Sequence, residues 1–210
     1  MSNENRILLI AGHGAKPGAI NQHLGLEERD LARELRNRVA ALLNKQGVTT
    51  ITEASYLGLN ETAAWLQNQG AAPILCSLHF NSFDGTASGS EAIHAENAWD
   101  SSKQLAADLS REVAQVLSIT DRGAKPESAS AHGWLRILHA REDASSVLLE
   151  VCFMDNNEEA EKYLRCKESV AEAIANTLKV AVTGAVEASK PSKSKSSGKY
   201  TPQDDTSKKS

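Results

Sequence analysis

Apolar residues along the chain fall into two patterns, short continuous runs and longer stretches of helical spacing. Nearly unbroken runs at 7–11 and 74–80, and a third at 147–153 that only Glu150 interrupts, predict central strands covered on both faces. Weaker strand patterns lie at 48–52, 90–95 and 134–138. The chain therefore predicts at least three buried strands.

Between these runs, leucine and valine recur every three or four residues. One helix is marked by Leu31, Leu35 and Val39, a second by the stripe within 105–116, and a third is expected over about 168–186. Alternating strands and helices indicate an α/β fold, a single domain with a twisted, mainly parallel central sheet and helices on both faces.

Two of the helix starts carry capping signals. Ser101 followed by Gln104 has the spacing of a capping box and predicts the start of the helix over 105–116. Asn60 is predicted to cap a shorter helix around Trp65.

The composition changes abruptly near the end of the chain. Residues 189–210 hold seven Ser, six Lys, two Pro and no aliphatic residue, so this segment cannot bury enough apolar surface to fold. We expect a catalytic domain over 1–188 and a disordered Ser/Lys-rich tail over 189–210.

Charge and hydropathy exclude several classes of protein. The tail carries six Lys against two Asp, a net +4, so a formal charge of −4 for the whole chain leaves −8 on residues 1–188. An acidic domain argues against nucleic acid as a partner. No run approaches the roughly 20 apolar residues of a membrane span, and the polar first residues predict synthesis in the cytoplasm without a Sec signal. We expect a monomer.

Two histidines occupy positions where ligands are common in α/β folds. His13 lies between two glycines directly after the first predicted strand, and His79 lies near the end of the second. The carboxyl ends of strands are where open α/β sheets bind ligands. Each histidine taken alone is also explained as a hydrogen-bonded turn or core residue.

Two glutamates occupy positions that the helix or strand pattern assigns to apolar residues. Glu28 falls on the inward stripe that continues through Leu31 and Leu35, although a first-turn acid favoured by the helix dipole is the alternative. Glu150 is the one carboxylate inside an otherwise apolar strand. A buried Glu without a partner tends to protonate, so its presence suggests a nearby cation or a proton-transfer role.

Together these four residues form a plausible catalytic zinc site. Two imidazoles and one carboxylate, here His13, Glu28 and His79, are a common zinc set that leaves a fourth position for water. A carboxylate that does not bind the metal can take the proton of that water and pass it to the leaving amine. Glu150 suits this role.

At these residues the chain resembles the zinc-dependent N-acetylmuramoyl-L-alanine amidases of the amidase 3 family, which include phage endolysins. The resemblance covers about residues 6–182 and rests on six segments in the family's order. They are Ala11-Gly12-His13-Gly14, Gly25-Leu26-Glu27-Glu28-Arg29-Asp30, Ser77-Leu78-His79-Phe80-Asn81, Gly89-Ser90-Glu91, Asp121-Arg122-Gly123-Ala124-Lys125, and Val147 to Phe153 with Asn156.

The resemblance implies that His13, Glu28 and His79 bind zinc and that Glu150 is catalytic. It also implies the substrate, the amide between N-acetylmuramic acid and the L-alanine of the peptidoglycan stem peptide. Ile10-Ala11 stands where many members have Asp-Pro, which favours a phage-type branch. We expect an enzyme that reaches the cell wall after another protein permeabilises the membrane and then lyses the host.

Other residues and functions have weaker support. Asn81 is a candidate for orienting substrate, and Glu91, on a possible edge strand, matches a family acid near the site. The three Trp do not cluster in sequence, so no sugar-stacking platform is predicted. Alternative functions are a zinc peptidase acting on the stem peptide and a wall-binding module without catalysis.

Overall fold

The structure is a computed structural model that describes residues 5–54, 56–130 and 133–189. In chain order the strands are β1 (Arg6–Ala11), β2 (Ile20–Asn21), β3 (Leu26–Glu27), β4 (Thr49–Ile51), β5 (Ile74–Asn81), β6 (Ser90–His94), β7 (Asp121–Pro126) and β8 (Ser145–Phe153). The helices are α1 (Glu28–Lys45), α2 (Leu59–Gln67), α3 (Asp100–Leu117) and α4 (Asn157–Ser189), with 3₁₀ turns at Glu127–Ala129 and Arg136–His139.

Six of the strands form one sheet in the order β4-β1-β5-β8-β6-β7. Strands β4, β1, β5 and β8 are parallel, so their carboxyl ends meet at one edge of the sheet. Strand β6 runs antiparallel to β8, and β7 is parallel to β6, so these two strands begin at that same edge. The predicted α/β fold with a mainly parallel sheet is confirmed.

The two faces of the sheet are covered unequally. Alternate residues of β1, such as Ile7 and Leu8, point to opposite faces because side chains alternate along a strand. Helices α1, α3 and α4 cover one face together with the larger core cluster. The opposite face packs against the shorter α2 and the 3₁₀ turn at Arg136–His139. The side chains of His79 and Glu150 lie on this second face, because the residues on either side of each one point into the larger core cluster on the first face.

Three strand predictions need correction. The predicted strand at 134–138 is instead a 3₁₀ turn over Arg136–His139, in which the adjacent Ile137 and Leu138 are both buried against the second face of the sheet. Strand β7 was not predicted, because its sequence contains Gly and Pro and almost no aliphatic residue. Segment 90–95 was expected at an edge, but β6 lies between β8 and β7.

The predicted helix starts also need correction. Helix α4 begins at Asn157 rather than near 168, because the Asn156 side chain accepts hydrogen bonds from the amides of Glu158 and Glu159. Helix α3 begins at Asp100 without a capping box, and the Ser101 hydroxyl contacts Ser145 instead.

Helix α2 begins two residues before the sequence signal suggested. Gly58 is its N-cap in place of Asn60, and the Gly58 amide donates to the Glu61 carboxylate. The predicted tail, apart from Ser189, lies outside the described residues. Among the described residues, no helix combines the length and apolar character that crossing a membrane requires.

Candidate metal centre

Glu28 enters the site because α1 begins with it. The carboxylate lies on the inward stripe that also carries Leu31 and Leu35, and the residue is only 4% exposed. The short antiparallel β2–β3 hairpin directly precedes the helix in the chain. The sequence-based prediction that Glu28 points inward is confirmed.

His13 is presented by a strained turn after β1. Its φ of 55° lies in the left-handed region, which a side chain rarely adopts and which is common at functional sites. The preceding amide of Gly12 donates to the Leu78 carbonyl at 2.8 Å, which fixes the turn to β5.

Two glycines make room for the side chains of the site. A Cβ on Gly12 would lie 2.4 Å from the His79 ring, and a Cβ on Gly18 would lie 2.6 Å from a Glu28 oxygen. Gly18 also has a φ of +73°, a conformation that glycine adopts without strain. Close packing of the backbone against His79 and Glu28 therefore requires these two glycines.

The side chains of His13, Glu28 and His79 converge on one point. Their candidate ligand atoms all lie within 4.8 Å of one another. His13 Nε2 is 3.2 Å from Glu28 Oε2, and His79 Nδ1 is 3.0 Å from Glu28 Oε1. Two ligand atoms of a tetrahedral zinc ion are about 3.4 Å apart. The donor types and their spacing therefore fit zinc.

Glu28 is held in its charged form. The amides of Ala19 and Phe80 donate to its two oxygens, at 3.0 Å and 3.2 Å. Burial alone would raise the pKa of Glu28, but the hydrogen bonds with His13 and His79 outweigh burial and hold that pKa well below its ordinary value. A charged carboxylate fixed by two backbone amides is pre-oriented to bind a cation.

Glu150 completes the site from the adjacent strand. It pairs in register with His79 across β5 and β8, so the two side chains project side by side on the same face. Its Oε2 atom is buried and has no hydrogen-bond partner. Burial, together with the nearby charges of Glu28 and Glu91, raises the pKa of Glu150 well above its ordinary value. An unsatisfied buried oxygen at this place fits a site built for a cation and a water molecule.

Glu91, on β6, forms a row with His79 and Glu150 across three neighbouring strands. It pairs in register with Glu150 across β6 and β8. Lys125 Nζ donates to Glu91 Oε2 at 2.6 Å, the Arg122 guanidinium donates to the same oxygen, and Asn81 Nδ2 donates to Oε1 at 3.1 Å. The two residues predicted to contact substrate, Asn81 and Glu91, are thus joined by a hydrogen bond next to Glu150.

Sequence reasoning missed a buried ion pair behind the His13 turn. Arg36 and Glu53 are 4% and 6% exposed and form a salt bridge, and Glu53 Oε1 accepts a hydrogen bond from the Ala11 amide at 3.2 Å. The pair therefore fixes the last residue of β1, two positions before His13. The available signal was that Arg36 directly follows Leu35 on the inward stripe of α1.

Sequence reasoning also gave no role to Lys125 and Arg122, although both lie in one of the six segments that carry the family resemblance. They belong to β7, the strand whose apolar content is too low to be recognised from its sequence. Asn21 is a third omission, since its buried amide donates to the Met154 carbonyl at 2.8 Å and so ties the loop after β1 to the end of β8.

Several solved structures share this fold. An N-acetylmuramoyl-L-alanine amidase from Clostridium difficile 630 is 22% identical, with a TM-score of 0.75 over 90% of this chain and 100% of that chain. The catalytic domain of CwlV, an amidase from Bacillus (Paenibacillus) polymyxa, is 24% identical, with a TM-score of 0.72 over 85% and 98%. The catalytic domain of an endolysin targeting Clostridia difficile is 24% identical, with a TM-score of 0.67 over 82% and 96%.

Family membership follows from the sequence itself. No curated protein sequence matches the chain. The family model described as N-acetylmuramoyl-L-alanine amidase, by contrast, matches residues 7–180, which include the whole sheet except Arg6 and all of the His13, Glu28 and His79 cluster. The chain belongs to the amidase 3 family of N-acetylmuramoyl-L-alanine amidases, hydrolases that cleave an amide bond of peptidoglycan.

Proposed function

We propose that this enzyme hydrolyses the amide between N-acetylmuramic acid and L-alanine with zinc held by His13, Glu28 and His79. The observation that carries the proposal is the convergence of these ligand atoms within 4.8 Å beside the unsatisfied carboxylate oxygen of Glu150. When bound there, zinc supplies a Lewis acid that polarises the scissile carbonyl and acidifies the attacking water.

Glu150 moves the proton in this reaction. Its carboxylate accepts the proton of the attacking water and delivers it to the amide nitrogen as the C–N bond breaks. One water is consumed, the amide carbonyl of the lactyl group becomes a carboxylate, and the stem peptide leaves with a free L-alanine amine. Glu150 lies beside His79 in the strand register, so it faces the bond that the metal site positions.

Asn81 and Glu91 bind the substrate beside Glu150. Glu91 is held charged because, although burial would raise its pKa, hydrogen bonds from Lys125 and Arg122 lower that pKa below its ordinary value. The two cations outnumber this one carboxylate and leave a local positive charge. We assign this charge to binding a carboxylate of the stem peptide, with Asn81 held in place by Glu91.

Digestion of purified peptidoglycan tests the reaction. The zinc-loaded enzyme is expected to release new L-alanine amino termini, and the chelator-treated enzyme is expected to release none until zinc is restored. Other amino termini would indicate a peptidase, and wall binding without any product would indicate a binding module.

Metal content tests the ligand set separately. His79→Ala is expected to lose stoichiometric zinc, whereas His23→Ala, which removes an exposed histidine outside the cluster, is expected to retain it. Full zinc occupancy in His79→Ala would remove His79 from the ligand set.

The biological role we propose is lysis of a bacterial host. One of the similar structures is, by its name, the catalytic domain of an endolysin. Purified enzyme added to membrane-permeabilised bacteria is expected to lower the turbidity of the suspension, and the Glu150→Gln variant is not. Unchanged turbidity with a wall that the enzyme does cleave in isolation would argue for wall remodelling instead.

A further inference from the structure

We propose that Trp134, together with His139 and Arg136, forms a platform that binds a sugar ring of the glycan strand on the face of the sheet that carries the catalytic site, at a distance from that site. This inference rests on the proposed function, because it takes peptidoglycan as the substrate. We call these three residues the Trp134 platform. Their association is not visible in sequence, where the Trp residues are isolated.

The platform consists of two stacked rings and a neighbouring guanidinium at the surface. The Trp134 and His139 rings are parallel within 12°, with centroids 5.1 Å apart. The Arg136 guanidinium lies 5.5 Å from the Trp134 ring centroid. Trp134 nevertheless remains 57% exposed, so its two neighbours leave ring surface available. A flat apolar surface with a cation beside it suits a pyranose ring that carries an acid.

A buried carboxylate holds the platform in place. Glu127 is 5% exposed, and its Oε1 atom lies 2.7 Å from His139 Nε2. Its Oε2 atom accepts the amide hydrogen of Leu135 at 2.7 Å, directly after Trp134. One carboxylate therefore fixes both the backbone next to Trp134 and the ring that stacks on it. Such fixed aromatic surfaces bind ligands with little loss of conformational entropy.

The platform stands on the same face of the sheet as the catalytic side chains. Ile137 and Leu138, between Arg136 and His139, pack in the core cluster that contains Leu148. Leu148 is two residues before Glu150 on the same strand, so the two side chains share a face and are about 7 Å apart along it. The platform itself lies further from Glu150, because Glu127, which holds it, follows the end of β7 and lies towards the opposite edge of the sheet. A glycan strand that presents one sugar to Glu150 extends over many sugars, and the platform can hold one of them away from the scissile bond.

The charge of the platform selects a particular kind of sugar. Hydrolysis leaves a free lactyl carboxylate on each sugar that has lost its peptide. Arg136 is an exposed cation next to the stacking ring, in a domain whose overall charge is negative. The complementary ligand is therefore an aminosugar bearing a free lactyl acid, which is the sugar product of the reaction and not its substrate.

Calorimetric titration with peptide-free glycan tests this proposal, because that polymer contains no scissile amide and the zinc-loaded wild-type enzyme can be used intact. Trp134→Ala is expected to weaken binding about tenfold. Trp99→Ala is the matched control, since Trp99 is an indole of similar exposure, 54%, at the N-cap of α3 and does not stack on His139, and it is expected to leave the affinity unchanged.

Two further variants separate stacking from charge. Arg136→Gln is expected to weaken binding to peptide-free glycan about threefold, while its affinity for chitin oligosaccharides, which lack the lactyl acid, stays the same. Trp134→Leu keeps apolar bulk but removes the flat ring, and it is expected to lose affinity for both ligands.

Equal affinities of wild type, Trp134→Ala and Trp99→Ala for peptide-free glycan would overturn the proposal, as would the absence of saturable binding to the wild type. Neither readout depends on turnover. Failure of the platform is therefore distinguishable from failure of the amidase assignment, which the release of L-alanine amino termini decides.

Discussion

Glu150 and Glu91 are the same residue type on the same face of the sheet, paired in register on neighbouring strands, yet their surroundings are opposite. Glu150 has a buried oxygen without a partner, and burial raises its pKa. Glu91 shares one oxygen between Lys125 and Arg122, and those contacts lower its pKa despite burial.

This contrast assigns the two carboxylates to different tasks. A carboxyl group whose pKa is raised is suited to taking up and releasing a proton, whereas one whose pKa is lowered stays charged and can only attract or orient. We therefore propose that Glu150 beside His79, the metal side of the row, carries out the chemistry. Glu91 beside Lys125, the cation side, is proposed to hold and position the substrate.

The largest expected effect comes from removing the proton-accepting group on the metal side. Glu150→Gln keeps the shape of the side chain but cannot accept a proton, so kcat is expected to fall about 10³-fold. Zinc content is expected to stay stoichiometric, because Glu150 is not among the converging ligand atoms. Turnover measured by released L-alanine termini and zinc measured by atomic absorption would check both statements.

A Glu150→Gln variant with nearly wild-type kcat would remove this residue from the mechanism. Loss of zinc in the same variant would instead show that it is a ligand. Either result would erase the difference in role between Glu150 and Glu91.

A second prediction disturbs the metal side through its backbone. A Cβ at Gly12 would lie 2.4 Å from the His79 ring, so Gly12→Ala must displace that imidazole. We expect zinc affinity to fall by about 10- to 100-fold, measured by competition with a chelator of known affinity. Gly184→Ala is the matched control, because a Cβ there meets nothing within 4 Å. Equal zinc affinities for the two variants would mean that Gly12 does not position His79.

Most of the metal side could be predicted from the sequence. Glu28 and Glu150 conflict with the apolar pattern around them, and a charged residue on a core stripe needs a charged partner or a metal ion. His13 follows β1 and His79 lies near the end of β5, and these strands are adjacent and parallel, so the convergence of the two histidines required only the fold class. Strand register then placed His79 beside Glu150, which sequence periodicity alone could not determine.

The cation side could not be predicted in the same way. Lys125 and Arg122 belong to β7, whose residues carry too little apolar character to mark a strand. Their contact with Glu91 depends on the pairing of β6 with β7, a long-range relation that leaves no local signal. The stack of Trp134 on His139 was missed for a related reason, because its segment was expected to be an extended strand and is a 3₁₀ turn.

A third prediction tests the cation side. Glu91→Gln removes the carboxylate that fixes the positions of Lys125 and Arg122, and it weakens the support of Asn81. We expect kcat/KM for a soluble muropeptide to fall about tenfold, mainly through KM, with zinc content unchanged. Glu96→Gln, a change on an exposed residue nearby in sequence, is the control and is expected to have no effect. A loss confined to kcat would place Glu91 in the proton-transfer step and weaken the contrast.

The smallest expected effect concerns stability, and its sign differs between the two carboxylates. The pKa of Glu91 in the folded protein lies below its ordinary value of 4.5, so its contribution to stability is present above about pH 4.5 and is lost as the pH falls through the folded pKa. At pH 7.5 we expect Glu91→Gln to lower the free energy of unfolding of the zinc-free protein by about 1 kcal/mol. Urea midpoints at several pH values would measure this.

Glu150 should behave in the opposite direction. Its pKa in the folded protein lies above 4.5, so its destabilising effect grows as the pH rises above 4.5, where the unfolded chain releases the proton more readily. At pH 7.5 the zinc-free Glu150→Gln variant is therefore expected to be more stable than wild type by about 1 kcal/mol, because it removes the buried acid. For both variants, the difference from wild type in the free energy of unfolding should shrink towards pH 4. Two changes of equal sign at pH 7.5 would mean that Glu150 and Glu91 have similar surroundings, because only opposite electrostatic environments give the same substitution opposite effects.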